Sequence, residues 1–148
     1  MKKKLAVMGL VLLAGISGEA MAICGTAGDV RIGTAPAIRT ALSGKSIHAV
    51  APAPSNEDWK EDHCSVGAGT GPANLYKVGA GTPVDPRVKR GTWEITGIGN
   101  SRSVKYIYTG DGTYTWELWQ TGANVYFCNG TTQIAHIVSS TPAGAPCP

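Results

Sequence analysis

Residues 102–120 read RSVKYIYTGDGTYTWELWQ. Val104, Tyr106 and Tyr108 recur at every second position, and Tyr114, Trp116 and Leu118 do the same after the turn, alternating with Thr113, Thr115 and Glu117. A period of two is that of a strand with one buried face. The TGDG of residues 109–112 joins the two runs as a hairpin turn, because Asp-Gly and its glycine neighbours tolerate positive φ. QTGAN at residues 120–124 and Asn129-Gly130 punctuate the chain in the same way. Working outward, the pattern predicts strands over 92–98, 102–109, 113–120, 123–128 and 132–138, with three further candidates at 45–51, 56–63 and 73–78. An antiparallel meander of about eight strands with one wet face must hide its edges. Closure into an up-and-down barrel is the simplest way to do so.

Residues 66–83 contain the pentapeptide VGAGT twice, beginning at Val66 and at Val78. A phosphate-binding glycine loop would open a helix and carry Lys and Ser/Thr at fixed offsets. Here the first copy leads into a short β-prone run, and the second leads into TPVDP, which cannot open a long helix. Both copies therefore read as turns around one strand.

The chain begins MKKKLAVMGLVLLAGISGEAMA, a basic head, an apolar stretch over residues 5–16 and Ala20-Met21-Ala22 as a small-x-small cleavage site. This predicts a secretory signal peptide over residues 1–22 and a mature single domain over residues 23–148, periplasmic or secreted. No later segment is long and apolar enough to suggest a membrane span. Without Lys2, Lys3, Lys4 and Glu19 the mature chain has 10 basic and 9 acidic residues, so the basic isoelectric point says nothing of nucleic acid. Cys24, Cys64, Cys128 and Cys147 form no C-x-x-C and, in an exported chain, read as two disulfides with all three pairings open. Within the N-terminal segment, 23–44, a short helix is expected over 34–42: Thr34 as cap, Pro36 in the first turn, Ile38 and Leu42 on one face, Gly44 as stop. It should plug or flank the barrel.

LSGKSI at residues 42–47, WKEDH at 59–63, PVDP at 83–86, GTWEITG at 91–97, YTWEL at 114–118 and YFCNG at 126–130 resemble blocks found, in the same order, in a group of small exported bacterial β-rich proteins with no assigned function. The resemblance covers most of the mature chain and implies a fold and an exported bacterial setting. That group carries a cysteine after the SGxxx block, where this chain has His48, which makes Cys64 the candidate compensating cysteine. More distantly, Gly91 to Trp93 is similar to the Gly-x-Trp strand start of lipocalin and avidin barrels, which hold small ligands inside eight strands.

Chemistry is sparse. His48, His63 and His136 fall on three different predicted strands, and no serine sits in a G-x-S-x-G elbow, so no catalytic residue is assigned and an enzyme is not expected. No cofactor motif is present. The densest polar cluster is NEDWKEDHC, residues 56–64. Strand parity sets Glu57, Trp59, Glu61 and His63 on one side and Asp58, Lys60 and Asp62 on the other, splitting the acids that a divalent-metal site would need. The cluster is accordingly read as a solvated edge strand whose like charges deter aggregation.

The aromatic residues are the better lead, because eight strands enclose either a filled core or space for one small ligand. Trp93, Tyr106, Tyr108 and Trp116 are the candidate ligand-binding residues. Trp116 and Trp119 face opposite sides of one strand, which would leave at least one of them for a contact surface. Arg87, Lys89 and Arg90, ending the proline-stiffened loop at residues 79–91, are candidates for a protein-partner loop. The expected function is that of an exported binding protein for a small apolar or aromatic ligand or a protein. A hydrolase-inhibitor-type interaction factor and an envelope structural component are the alternatives.

Overall fold

The computed structural model describes residues 24–78, 87–145 and 147. Eight antiparallel strands follow one another around a ring: β2 (Lys45–Val50), β3 (Asp58–His63), β4 (Ala73–Lys77), β5 (Val88–Thr96), β6 (Ser103–Tyr108), β7 (Gly112–Thr121), β8 (Asn124–Asn129) and β9 (Thr132–Pro142). The ring closes where β9 pairs with β2, from Lys45 opposite Pro142 to Val50 opposite His136. The eight predicted strands are all present, and the barrel closes. A short β1 (Val30–Arg31) adds to β7 at Trp119 and Gln120, beyond the residues of β7 that pair with β6.

The inward face follows the period-two pattern. Ile47, Ala49, Leu75, Trp93, Ile95, Val104, Tyr106, Leu118, Phe127 and Ala135 are buried in one core. Ala49 and Ala135 leave room for Trp93, Tyr106 and Phe127, the largest fully buried side chains, so the small and large residues share one barrel radius.

Helix α1 (Ala35–Leu42) starts at Thr34, whose Oγ1 accepts from the Ala37 N–H at 3.3 Å, and it buries Ile38 and Leu42 in the barrel core. The segment containing it spans the end of the barrel. On one side the Ile32 N–H donates to the Leu118 carbonyl of β7 at 2.9 Å. On the other, Arg39 Nη1 donates to the Gly69 carbonyl at 2.8 Å and the Val66 N–H donates to Ser43 Oγ at 3.0 Å, both in the loop after β3. In the ring β3 and β7 stand four strands apart, on opposite walls. The helix is therefore the plug of this end. Thr34→Ala should cost about 1 kcal/mol through the unsatisfied first-turn N–H, read as a lower urea midpoint with unchanged slope.

The first VGAGT copy is a turn. The Gly69 N–H donates to the Val66 carbonyl at 3.1 Å, Gly67 has φ +59°, and β4 follows rather than a helix. The second copy lies, after Val78, outside the described residues.

Two disulfides tie the terminal segments to the outside of the barrel: Cys24–Cys128, 104 residues apart in sequence, and Cys64–Cys147, 83 apart. Cys64 thus bonds the C-terminal segment, and Cys128 bonds the N-terminal one. Both bridges fit an oxidising, non-cytoplasmic compartment. Gly25 lies against the Trp119 indole, whose Nε1 donates to Glu117 at 2.9 Å, so Trp119 is a half-buried outer residue under the N-terminal segment. Among the described residues no helix is long and apolar enough to cross a membrane.

β3 is not an edge strand. It pairs with β2 along its whole length and with β4 over Glu61 to His63, and Glu61, Asp62 and His63 are all buried. The solvated reading of this cluster is corrected: barrel closure gives the strand a second neighbour, and parity sends Glu61 and His63 inward. Asp62, on the outer face, pairs with Arg87, which also packs against Gly144 of the C-terminal segment.

Candidate functional site

At the end of the barrel opposite α1, no described helix covers the ring. A cavity of about 270 Å³ there is lined by Ala51, Glu57, Trp59, Glu61, Tyr108, Trp116 and Ile134. These residues come from β3, β6, β7, β9 and the β2–β3 connection, including opposite walls of the ring, so the cavity lies on the barrel axis. Ile134 reaches it as the extra residue of a β-bulge opposite Phe127 and Cys128, a device that re-aims one side chain without breaking closure.

The backbone around Tyr108 is arranged for its ring. Tyr108 is opposite Gly91 on β5 and Gly112 on β7. A Cβ on Gly91 would stand 1.9 Å from the Ile107 carbonyl oxygen, so only glycine permits this approach of β5 to β6. Tyr108 stacks on Tyr106 with centroids 5.9 Å apart and planes 10° from parallel, and Tyr106 in turn meets Trp116 at 5.2 Å. Tyr114, 44% exposed, continues the aromatic wall to the rim, 5.8 Å from both Tyr108 and Trp116.

Polar groups sit among the rings in two layers. In the upper layer, Tyr108 Oη donates to Glu61 Oε2 at 3.1 Å. Burial pushes the Glu61 carboxyl up to about 7, against the Tyr108 hydrogen bond and the charges of Lys77 and Arg90, which favour its ionised form. Tyr108 is held above its usual range, first by burial and then by the Glu61 charge. In the lower layer, His63 Nδ1 lies 3.4 Å from the Glu61 carbonyl and Nε2 lies 2.9 Å from Tyr106 Oη. A carbonyl only accepts, so Nδ1 carries the proton and Nε2 accepts from the tyrosine. Burial lowers His63 to about 4 and raises Tyr106, leaving both neutral at physiological pH. The floor is a neutral, hydrogen-bonded layer beneath one ionisable carboxylate.

Of the predicted ligand residues, Tyr108 and Trp116 line the cavity, and Tyr106, buried, packs against both without lining it. Trp93 is fully buried nearer the plug, its Nε1 donating to the Cys64 carbonyl at 3.0 Å and its ring edge-on to His63 at 5.3 Å. Arg87 is engaged with Asp62, whereas Lys89 and Arg90 begin β5 in exposed positions. The part of that loop at residues 79–86 lies outside the described residues. Sequence reasoning placed Trp59 and Glu61 on one strand face but left both out of the site. The signal was their parity with His63 on a strand that had to close a barrel.

Among the described residues no group of three His, Cys, Asp or Glu side chains is placed to hold a metal ion. A second depression of about 280 Å³ beside α1 is lined by Ala41, Lys45, Ala123, Val125, Ile137, Val138, Ser139 and Ser140. It has neither a ring nor a buried ionisable group, so the mouth is the better-equipped site. No protein-family model, curated protein or solved structure matches the chain.

Proposed function

We propose that the mature chain is an exported, non-catalytic binding protein, lipocalin-like in architecture, whose open mouth takes a small apolar or aromatic ligand. The observation that carries this reading is the axial cavity at the end opposite α1, lined by Trp59, Tyr108 and Trp116, with Tyr106 packed beneath them. An eight-stranded barrel either fills its interior with side chains, as Ile38 and Leu42 help to do at the other end, or holds one small ligand. The predicted signal peptide and the two disulfides support export.

Trp59 and Trp116 line the mouth, while Trp93 is sealed in the core and Trp119 lies outside the barrel. Binding should therefore shift tryptophan emission in titrations with small aromatic and apolar compounds. Trp116→Leu, which keeps an apolar wall, should weaken the affinity of any such compound by about tenfold or more. If no compound alters the emission, or if Trp116→Leu binds as tightly as the native chain, the mouth is not the site.

A further inference from the structure

The chemistry of the mouth narrows the ligand class; this inference rests on the binding role proposed above. Its described lining contains two carboxylates, Glu57 and Glu61, and no base, and three of its other five residues, Trp59, Tyr108 and Trp116, are aromatic. Glu61 is only 7% exposed, and among the described residues its one side-chain hydrogen bond is the one from Tyr108 to Oε2. Oε1 receives none from these residues, and Glu61 is one of the residues that line the cavity. A carboxylate held this deep gains from a positive or donating group that reaches it from the cavity. Aromatic rings, with negative potential on their faces, favour the same visitor. A neutral hydrocarbon would offer Glu61 no further partner, and an anion would face two carboxylates.

We propose that the mouth recognises a small organic cation, an amine or quaternary ammonium bearing an apolar or aromatic body, with its positive centre against Glu61 and its body against Trp59, Tyr108 and Trp116. Lys77, directly opposite Glu61 on β4, and the exposed Arg90 of the β5 bulge stand outside the lining and moderate the Glu61 charge without filling the cavity. Among the described residues, the remaining titratable groups around Glu61 are Glu57, Tyr106, Tyr108, Tyr114 and His63. Burial holds the Tyr106 and Tyr108 hydroxyls high and His63 down at about 4. Cation affinity should accordingly rise as the pH passes through about 7, where burial places Glu61.

The test is calorimetric titration of the mature, oxidised chain with three probes of similar body and different charge: benzyltrimethylammonium, benzyl alcohol and phenylacetate. The quaternary probe does not titrate, so its pH profile reports the protein. It should bind about tenfold tighter than benzyl alcohol at pH about 8, with phenylacetate weakest. Glu61→Gln should bring the cation to within about threefold of the alcohol and flatten its pH profile. Should Glu61→Gln not fold, the ratio in the native chain and its partial loss in Glu57→Gln decide the matter. Equal or tighter binding of the alcohol or of phenylacetate would overturn the cation assignment and leave the binding role standing. Binding of none of the three overturns the cation assignment as well, and the tryptophan-emission titrations then decide the broader role on their own.

Discussion

Glu61→Gln should gain roughly 3 kcal/mol of stability relative to the native chain between pH 4.5 and pH about 8. The folded state holds the Glu61 proton up to about 7, whereas the ordinary carboxyl value is 4.5. Between those values the folded state binds the proton and the unfolded chain has released it. The stabilising contribution is therefore complete below about 4.5 and is lost as pH rises through about 7. Glutamine does not titrate, so the difference between the two proteins isolates this one group. His63 has the opposite sign: its folded value is lowered from 6.5 to about 4, so its contribution is present above 6.5 and lost as pH falls towards 4. In the native chain the two slopes oppose each other between about 4.5 and 6.5 and should nearly cancel. In Glu61→Gln the His63 slope should appear alone. Urea unfolding at several pH values, with disulfides intact, reads all of this. A difference between the two proteins that does not change with pH would mean that Glu61 is not held in the barrel.

Trp93→Ala should cost about 3–5 kcal/mol, a large share of the stability of a domain of this size. The indole is fully buried among core residues, and its removal also leaves the Cys64 carbonyl without its N–H partner beside the Cys64–Cys147 bridge. Trp93→Phe keeps most of the packing and should cost less while leaving mouth affinities unchanged, since Trp93 does not line the cavity. A loss below about 1 kcal/mol in the alanine variant, or a change in ligand affinity in the phenylalanine variant, would contradict the assignment of Trp93 to the core.

The fold was legible because each strand carries its own signal. Val104, Tyr106 and Tyr108 alternate, Asp111-Gly112 turns the chain, and the run of eight short strands without a crossover helix leaves few topologies. β1 escaped notice because two residues, Val30 and Arg31, cannot display a period. β9 runs on to Pro142 because its last residues pair with β2 at the seam of closure, a long-range contact invisible in the polar SSTP. β5 begins at Val88 rather than at residue 92 because the bulge at Arg90 breaks the alternation there. The disulfide pairing required knowing which surface each terminal segment crosses. The site was half legible: Tyr108 and Trp116 stood out as rings on the inward face, but the charge density of EDWKEDH concealed that Glu61 and His63 face inward. Residue type suggested solvent, whereas parity, followed through closure, pointed to the barrel.

The most direct measurement is native mass spectrometry of the mature protein recovered from the exported fraction of its own host, compared with the same sample denatured without reduction. The expected result is a chain beginning at Ile23, four hydrogens lighter than the reduced form for its two disulfides, carrying a small-molecule mass that leaves on denaturation. The bare oxidised chain in both spectra, with no mass acquired from host extract, would contradict a ligand-carrying mouth.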